Sequence, residues 1–132
     1  MSRSIWIINR IGWEYDDSTY YRSESGGGQP YQAYTDLEIA KSFLAQLEAE
    51  EFRREGANIF DYVSMDELRY QYGSANNYLE LTEAAKKVGL EYDGYDFGFL
   101  KEVSSYSDNE VHEIFNFLNI EFFTLVEVEL IA

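Results

Sequence analysis

The sequence predicts an α+β fold: a small antiparallel sheet that includes both terminal strands, with three to four helices packed mainly on one face. Three observations predict it. Period-two apolar patterns stand at the two ends of the chain, at 5–15 and 121–131. Between them one helix-start device recurs three times. The strands are thus grouped apart from the helices rather than alternating with them, which separates α+β from α/β. The 132 residues, 45% apolar and 27% charged, have the length and composition of a single globular domain spanning 1–132.

The first element follows from parity. Ile5, Ile7, Ile11, Trp13 and Tyr15 occupy odd positions, with polar Asn9 among them and Arg10 and Glu14 on the other parity. This predicts a strand that buries its odd face. Asp16-Asp17-Ser18 is a turn cluster, so Thr19 to Arg22 pairs back as a hairpin. Ser23 to Pro30 holds three consecutive glycines and reads as a loop. Tyr31 to Tyr34 is a short strand or a lead-in.

Thr35 and Glu38 stand in capping-box spacing, with Tyr34 and Ile39 as the hydrophobic staple. Ala40, Phe43, Leu44 and Leu47 then share one helical face, which Phe52 extends. Glu48, Glu50, Glu51, Arg53 and Arg54 form the solvated face, and Gly56 is a left-handed stop. Residues 57–63 are a short strand or a connector. Ser64 with Glu67, stapled by Val63 and Leu68, starts a short helix ending near Gly73. A further helix starts at Ser74 or Ala75. It aligns Tyr78, Leu81, Thr82, Ala85 and Val88, and closes on Lys86, Lys87 and Gly89. Residues 90–100, aromatic and acidic with two glycines, are a structured loop or an irregular strand. Ser107 with Glu110, stapled by Tyr106 and Val111, starts the last helix, whose buried face is Val111, Ile114, Phe115 and Leu118. Asn119 ends it. In the final strand Phe122, Thr124, Val126, Val128 and Leu130 line one face, with Glu121, Glu127 and Glu129 on the other.

Charge bounds the partners. The chain carries 25 acidic and 10 basic residues, a formal net charge of −15. Phosphate binding is carried by Lys and Arg, so neither nucleic acid nor an anionic membrane is an expected partner. Fifteen of the acids lie in residues 57–132, and a basic protein would be steered to that half. Acidity also serves solubility alone. With no Cys there is no thiol catalysis or Cys-type zinc site, and one His cannot build a His-rich metal centre. No apolar run approaches the roughly 18 residues of a membrane span, and a signal peptide is not evident. The expected location is cytoplasmic, with no cofactor and no metal.

Specific chemistry finds little support in the spacing. Gly26-Gly27-Gly28 lacks the following helix and Lys of a phosphate loop. Glu91, Asp93 and Asp96 surround Gly94, but an EF-hand places its Gly at the sixth position, not the fourth. His112 has no assignable nucleophile, which suits a surface histidine better than a catalytic one. Adjacent acids such as Asp16-Asp17, Glu50-Glu51 and Asp66-Glu67 are expected in so acidic a chain. The aromatic and acidic run is different. Tyr92, Asp93, Tyr95 and Asp96, with Tyr106, combine rings that fill pockets with carboxylates that steer a cation. The alternative is that this stretch only plugs the core through Phe97, Phe99 and Leu100.

Gly12-Trp13-Glu14-Tyr15-Asp16-Asp17, Tyr20, Tyr34-x-Asp36 leading into Ala40, and Val126-Glu127-Val128 together resemble a family of small uncharacterised bacterial proteins with an N-terminal Gly-Trp-Glu-Tyr hairpin. The resemblance covers the first 50 or so residues and the last strand. It implies a bacterial source and an α+β fold, and no site residues.

These readings converge on a small acidic non-enzymatic interaction domain, of inhibitor, immunity or adaptor type. It would bind a basic partner protein through Tyr92, Asp93, Tyr95, Asp96 and Tyr106. The alternative is a small-molecule or divalent-cation binding protein, or a small hydrolase, with a carboxylate site around 91–96. A third reading is a homo-oligomer formed through the C-terminal strand.

Overall fold

The computed structural model describes residues 2–16, 19–22, 29–72 and 78–131. The chain divides into two compact units, one of Met1–Glu51 and Glu121–Ala132, the other of Phe52–Ile120. The fold is α+β, and both terminal strands lie in one antiparallel sheet.

In the first unit β1 (Ser2–Arg10) is the central strand, between β4 (Gln29–Tyr34) and β7 (Phe123–Ile131). β1 and β7 pair without interruption from Ser2 opposite Ile131 to Arg10 opposite Phe123. The β1–β4 ladder shifts between Ile8 and Asn9, leaving Tyr31 as an extra residue. β2 (Trp13–Asp16) and β3 (Thr19–Arg22) form the expected hairpin, whose turn at 17–18 lies outside the described residues. The glycine loop at 26–28 lies outside them too. The Trp13 indole N–H donates to the Glu121 carbonyl at 2.9 Å, and Trp13 meets Phe122 at 6.1 Å between ring centroids.

The α-helix α1 (Leu37–Glu55) starts one residue later than the capping box predicts. Asp36, not Thr35, caps it: its Oδ1 accepts from the Glu38 and Ile39 amides at 2.9 and 3.1 Å. A carboxylate there also suits the positive end of the helix dipole. Tyr34 stacks on Phe43 at 5.2 Å, and Arg10 pairs with Glu51 at 3.5 Å. Tyr34 lies opposite Trp6, and Arg10 has the parity of Trp6, so α1 covers the even-numbered face of β1. This corrects the expected parity. The fully buried residue of β1 is Ile8; Ile5 and Ile7 on the odd face are half-buried. The strand carries Trp6 and Ile8 on one side and Ile5 and Ile7 on the other, so alternation alone did not mark its inner face. Glu51 is likewise buried rather than solvated, and Ala49 is buried beside the expected Ala40.

The second unit opens with the end of α1, whose stop is Gly56 at φ +54°. Residues Gly56–Tyr62 form a 3₁₀ helix that buries Ile59, neither strand nor plain connector. α2 (Met65–Tyr72) is capped by Ser64, whose hydroxyl accepts the Glu67 amide at 3.4 Å. α3 (Tyr78–Lys87) buries Leu81 and Ala85 as expected; residues 73–77 lie outside the described part. β5 (Leu90–Tyr92) and β6 (Phe97–Phe99) turn the expected irregular stretch into a hairpin. A 3₁₀ turn at Val103–Ser105 leads to α4 (Asp108–Leu118). Here the capping box is complete: the Ser107 hydroxyl accepts the Glu110 amide at 3.1 Å, and the Ser107 amide donates to the Glu110 carboxylate at 2.9 Å. Val111, Ile114, Phe115 and Leu118 are all buried, and Asn119 ends the helix at φ +57°.

The core of this unit is aromatic. Phe52 meets Phe99, Tyr106 and Phe115 edge-on at 5.5, 5.4 and 6.0 Å. Phe97 joins Phe60, Tyr92 and Phe117 at 5.8, 4.7 and 6.1 Å. Tilted and edge-to-face geometries bring the positive ring edges to the negative faces.

Candidate functional site

The β5–β6 turn is built by one carboxylate. Asp93 Oδ1 accepts the Tyr95 and Asp96 amides at 2.8 and 2.7 Å, and the Asp93 amide donates to the Asp96 carbonyl at 3.2 Å. Gly94 takes φ +100°, a conformation that the missing side chain allows. The amides of Asp96 and then Tyr95 hold the Asp93 carboxyl below the usual carboxylate range. The Tyr92 hydroxyl donates to the Gly94 carbonyl at 3.0 Å from below, and the Thr82 hydroxyl to the Tyr92 carbonyl at 3.3 Å. The turn therefore presents Tyr95, 88% exposed, and the exposed Asp96 carboxylate on a braced base.

Of the five residues predicted to meet a partner, only Asp93, Tyr95 and Asp96 share this exposed tip. Tyr92 and Tyr106 are buried, and this corrects their expected place on the surface. Aromatic side chains serve cores and surfaces alike, and the sequence pattern does not separate the two uses. Tyr106 donates its hydroxyl to the Gly89 carbonyl and accepts the Leu100 amide at 3.2 Å, fastening the base of the hairpin. A Cβ on Gly89 would lie 3.0 Å from the Tyr106 ring, and its φ of +86° suits glycine. Lys101 lies 4.8 Å from the centre of the same ring and pairs with Glu110 at 2.7 Å. Lys101 first, and then the Ser107 amide, hold the Glu110 carboxyl below its usual range. Arg53 bonds the Tyr106 carbonyl and Asp108 at 3.3 and 3.2 Å.

The other candidates fall apart in space. Among the described residues no three His, Asp or Glu side chains are placed to hold a metal ion. Asp93 uses its oxygen on the turn, and Glu91 lies across Gly98. His112 is exposed on α4, with its ring nitrogen 3.2 Å from the Asn116 amide. A shallow groove of about 410 Å³ beside α3 is lined by Tyr72, Leu79, Glu80, Glu83, Ala84 and Lys87, none of them from 91–96. No helix among the described residues is long and apolar enough to cross a membrane.

The sequence reading missed two features. One is the turn-building role of Asp93, for which Asp93-Gly94 is a known signal. The other is the outward face of the terminal sheet. The parity expected for β7 holds, but Val126, Val128 and Leu130 remain 39%, 38% and 44% exposed. Comparison with protein-family models, curated proteins and solved structures gives no match.

Proposed function

We propose that this protein is a non-enzymatic binding domain for a basic partner protein, with Tyr95 and Asp96 as its contact tip. The braced turn carries the reading: in a chain of net charge −15 it holds one ring and one carboxylate out in water. The charge steers a cationic surface, and a preformed turn loses little entropy on binding. The bacterial source implied by the resemblance of the first hairpin belongs to this reading.

The test is capture from bacterial lysate at low and moderate salt by the wild-type chain and by Tyr95→Ala and Asp96→Lys. One basic protein held at low salt, released at moderate salt and lost from both variants is the expected result. Capture of nothing specific, or equal capture by the variants, overturns the reading. Asp93→Lys is a poorer probe, because it removes the two amide contacts that form the turn.

A further inference from the structure

The two edges of the terminal sheet differ. β4 is six residues long, contains Pro30 and is kinked by the extra residue Tyr31. Proline and bulges are devices that prevent an edge from recruiting another strand. β7 has none of them. Its nine residues pair regularly with β1, contain no Pro, Lys or Arg, and among the described residues no strand pairs with its outer side. Half of its backbone donors and acceptors face away from β1 by the geometry of an antiparallel ladder.

The side chains along that edge are sorted by charge. Val126, Val128 and Leu130 lie opposite Ile7, Ile5 and Arg3 and form a row on the face away from α1. Glu127 and Glu129 lie opposite Trp6 and Ser4, on the other face, and the Ser4 hydroxyl donates to Glu127 at 2.5 Å. A strand added here would meet apolar neighbours on one face and two carboxylates on the other. A second copy of this chain fits poorly. It would bring Glu127 and Glu129 of both edges together between bodies of net charge −15, and like charges on adjoining strands are destabilising.

We propose that the outer edge of β7, from Leu125 to Leu130, accepts an extended segment of the basic partner in which Lys or Arg alternates with apolar residues. The apolar side chains continue the row of Val126, Val128 and Leu130, and the cations face Glu127 and Glu129. This inference rests on the basic-partner reading and adds the means of docking: main-chain hydrogen bonds give affinity and the alternation gives the register.

The probe is a labelled nine-residue peptide of alternating Val and Lys, titrated into the full chain and followed by fluorescence anisotropy. A block peptide of the same composition is the control, with two isomers carrying N-methyl groups on the Val or on the Lys amides. We expect the alternating peptide to bind at least about tenfold more tightly than the block peptide, and one N-methyl isomer to lose that advantage. Glu127→Lys with Glu129→Lys should weaken binding about tenfold at low salt, and amide exchange should slow at 125–130. Equal binding of alternating and block peptides, or of both N-methyl isomers and the parent, overturns strand addition. So does protection confined to 93–96. The captured protein's dependence on Tyr95 and Asp96 then still decides the basic-partner reading separately. A light-scattering series showing a dimer that Glu127→Lys strengthens would overturn the inference in favour of a second copy.

Discussion

Both units bury an apolar core, but they expose apolar side chains in different places, the second singly at Tyr70, Leu79, Tyr95 and Leu100 and the first in a row along its last strand. The second encloses Tyr92, Tyr106, Phe115 and Phe117, and every buried side-chain polar atom in the described residues has a hydrogen-bond partner. The first covers one face of its sheet with α1 and leaves Val126, Val128 and Leu130 in water on the other. Rings with polar handles can be buried fully when a carbonyl waits for the hydroxyl, as Gly89 does for Tyr106. On the sheet face away from α1, Ile5 and Ile7 of the central strand are half-buried, and the exposed row belongs to the edge strand. The buried cluster is where truncation should cost most stability, and the exposed row is where it should cost least.

The contrast is broken most directly by truncation. Phe115→Ala in the enclosed core should destabilise the fold by about 3–5 kcal/mol in urea unfolding, through lost burial and the cavity left behind. A loss under about 1 kcal/mol would mean that the aromatic cluster is not close-packed. Tyr106→Phe keeps the ring and removes the hydroxyl, leaving the Leu100 amide and the Gly89 carbonyl only their own contact at 3.4 Å. It should cost about 1 kcal/mol by the same assay, and an unchanged midpoint would show that the contact between Leu100 and Gly89 is enough by itself.

Acid sharpens the picture at the exposed end of the second unit. Asp93 and Glu110 both have carboxyls held below their usual range, by the Asp96 and Tyr95 amides and by Lys101 respectively. A depressed folded-state pKa gives stability that is present above the unfolded value and is lost as pH falls through the folded one. The wild type should therefore weaken below roughly pH 4. Glu110→Gln should start weaker at neutral pH and lose less on acidification, so that thermal melts of the two converge. Parallel curves would remove Glu110 from the account.

The smallest effect belongs to the open face. Val128→Thr should change stability by no more than about 0.5 kcal/mol, because a half-exposed strand position tolerates a β-branched polar residue. It should nevertheless weaken the alternating peptide. A large loss of stability would mean that this row is covered in the free protein.

Much of the local structure was legible in the residues themselves. Ser107 and Glu110 announced their reciprocal cap, Gly56 and Gly89 their left-handed stops, and Val111, Ile114, Phe115 and Leu118 their buried face. Each depends on groups within a few positions in the chain, so spacing is sufficient. Even there, adjacent candidates compete: Asp36 took the cap from Thr35 because the stronger acceptor sits one residue nearer the helix. Of the candidate site, only the exposed turn was legible. Tyr95 and Asp96 stand exposed, while the equally aromatic Tyr92 and Tyr106 are inside.

Fold class, the helix stops at Gly56 and Gly89, the Ser107 cap and the charge follow from the sequence by itself, since they rest on periodicity, capping and composition. The tertiary structure decided which face of β1 is inner, that Glu51 is buried against Arg10, and which tyrosines reach water. It also decided that β4 would be the blunted edge and β7 the regular one. These depend on what lies opposite a residue from far along the chain. An apolar strand with two similar faces carries no mark of which one a helix will cover.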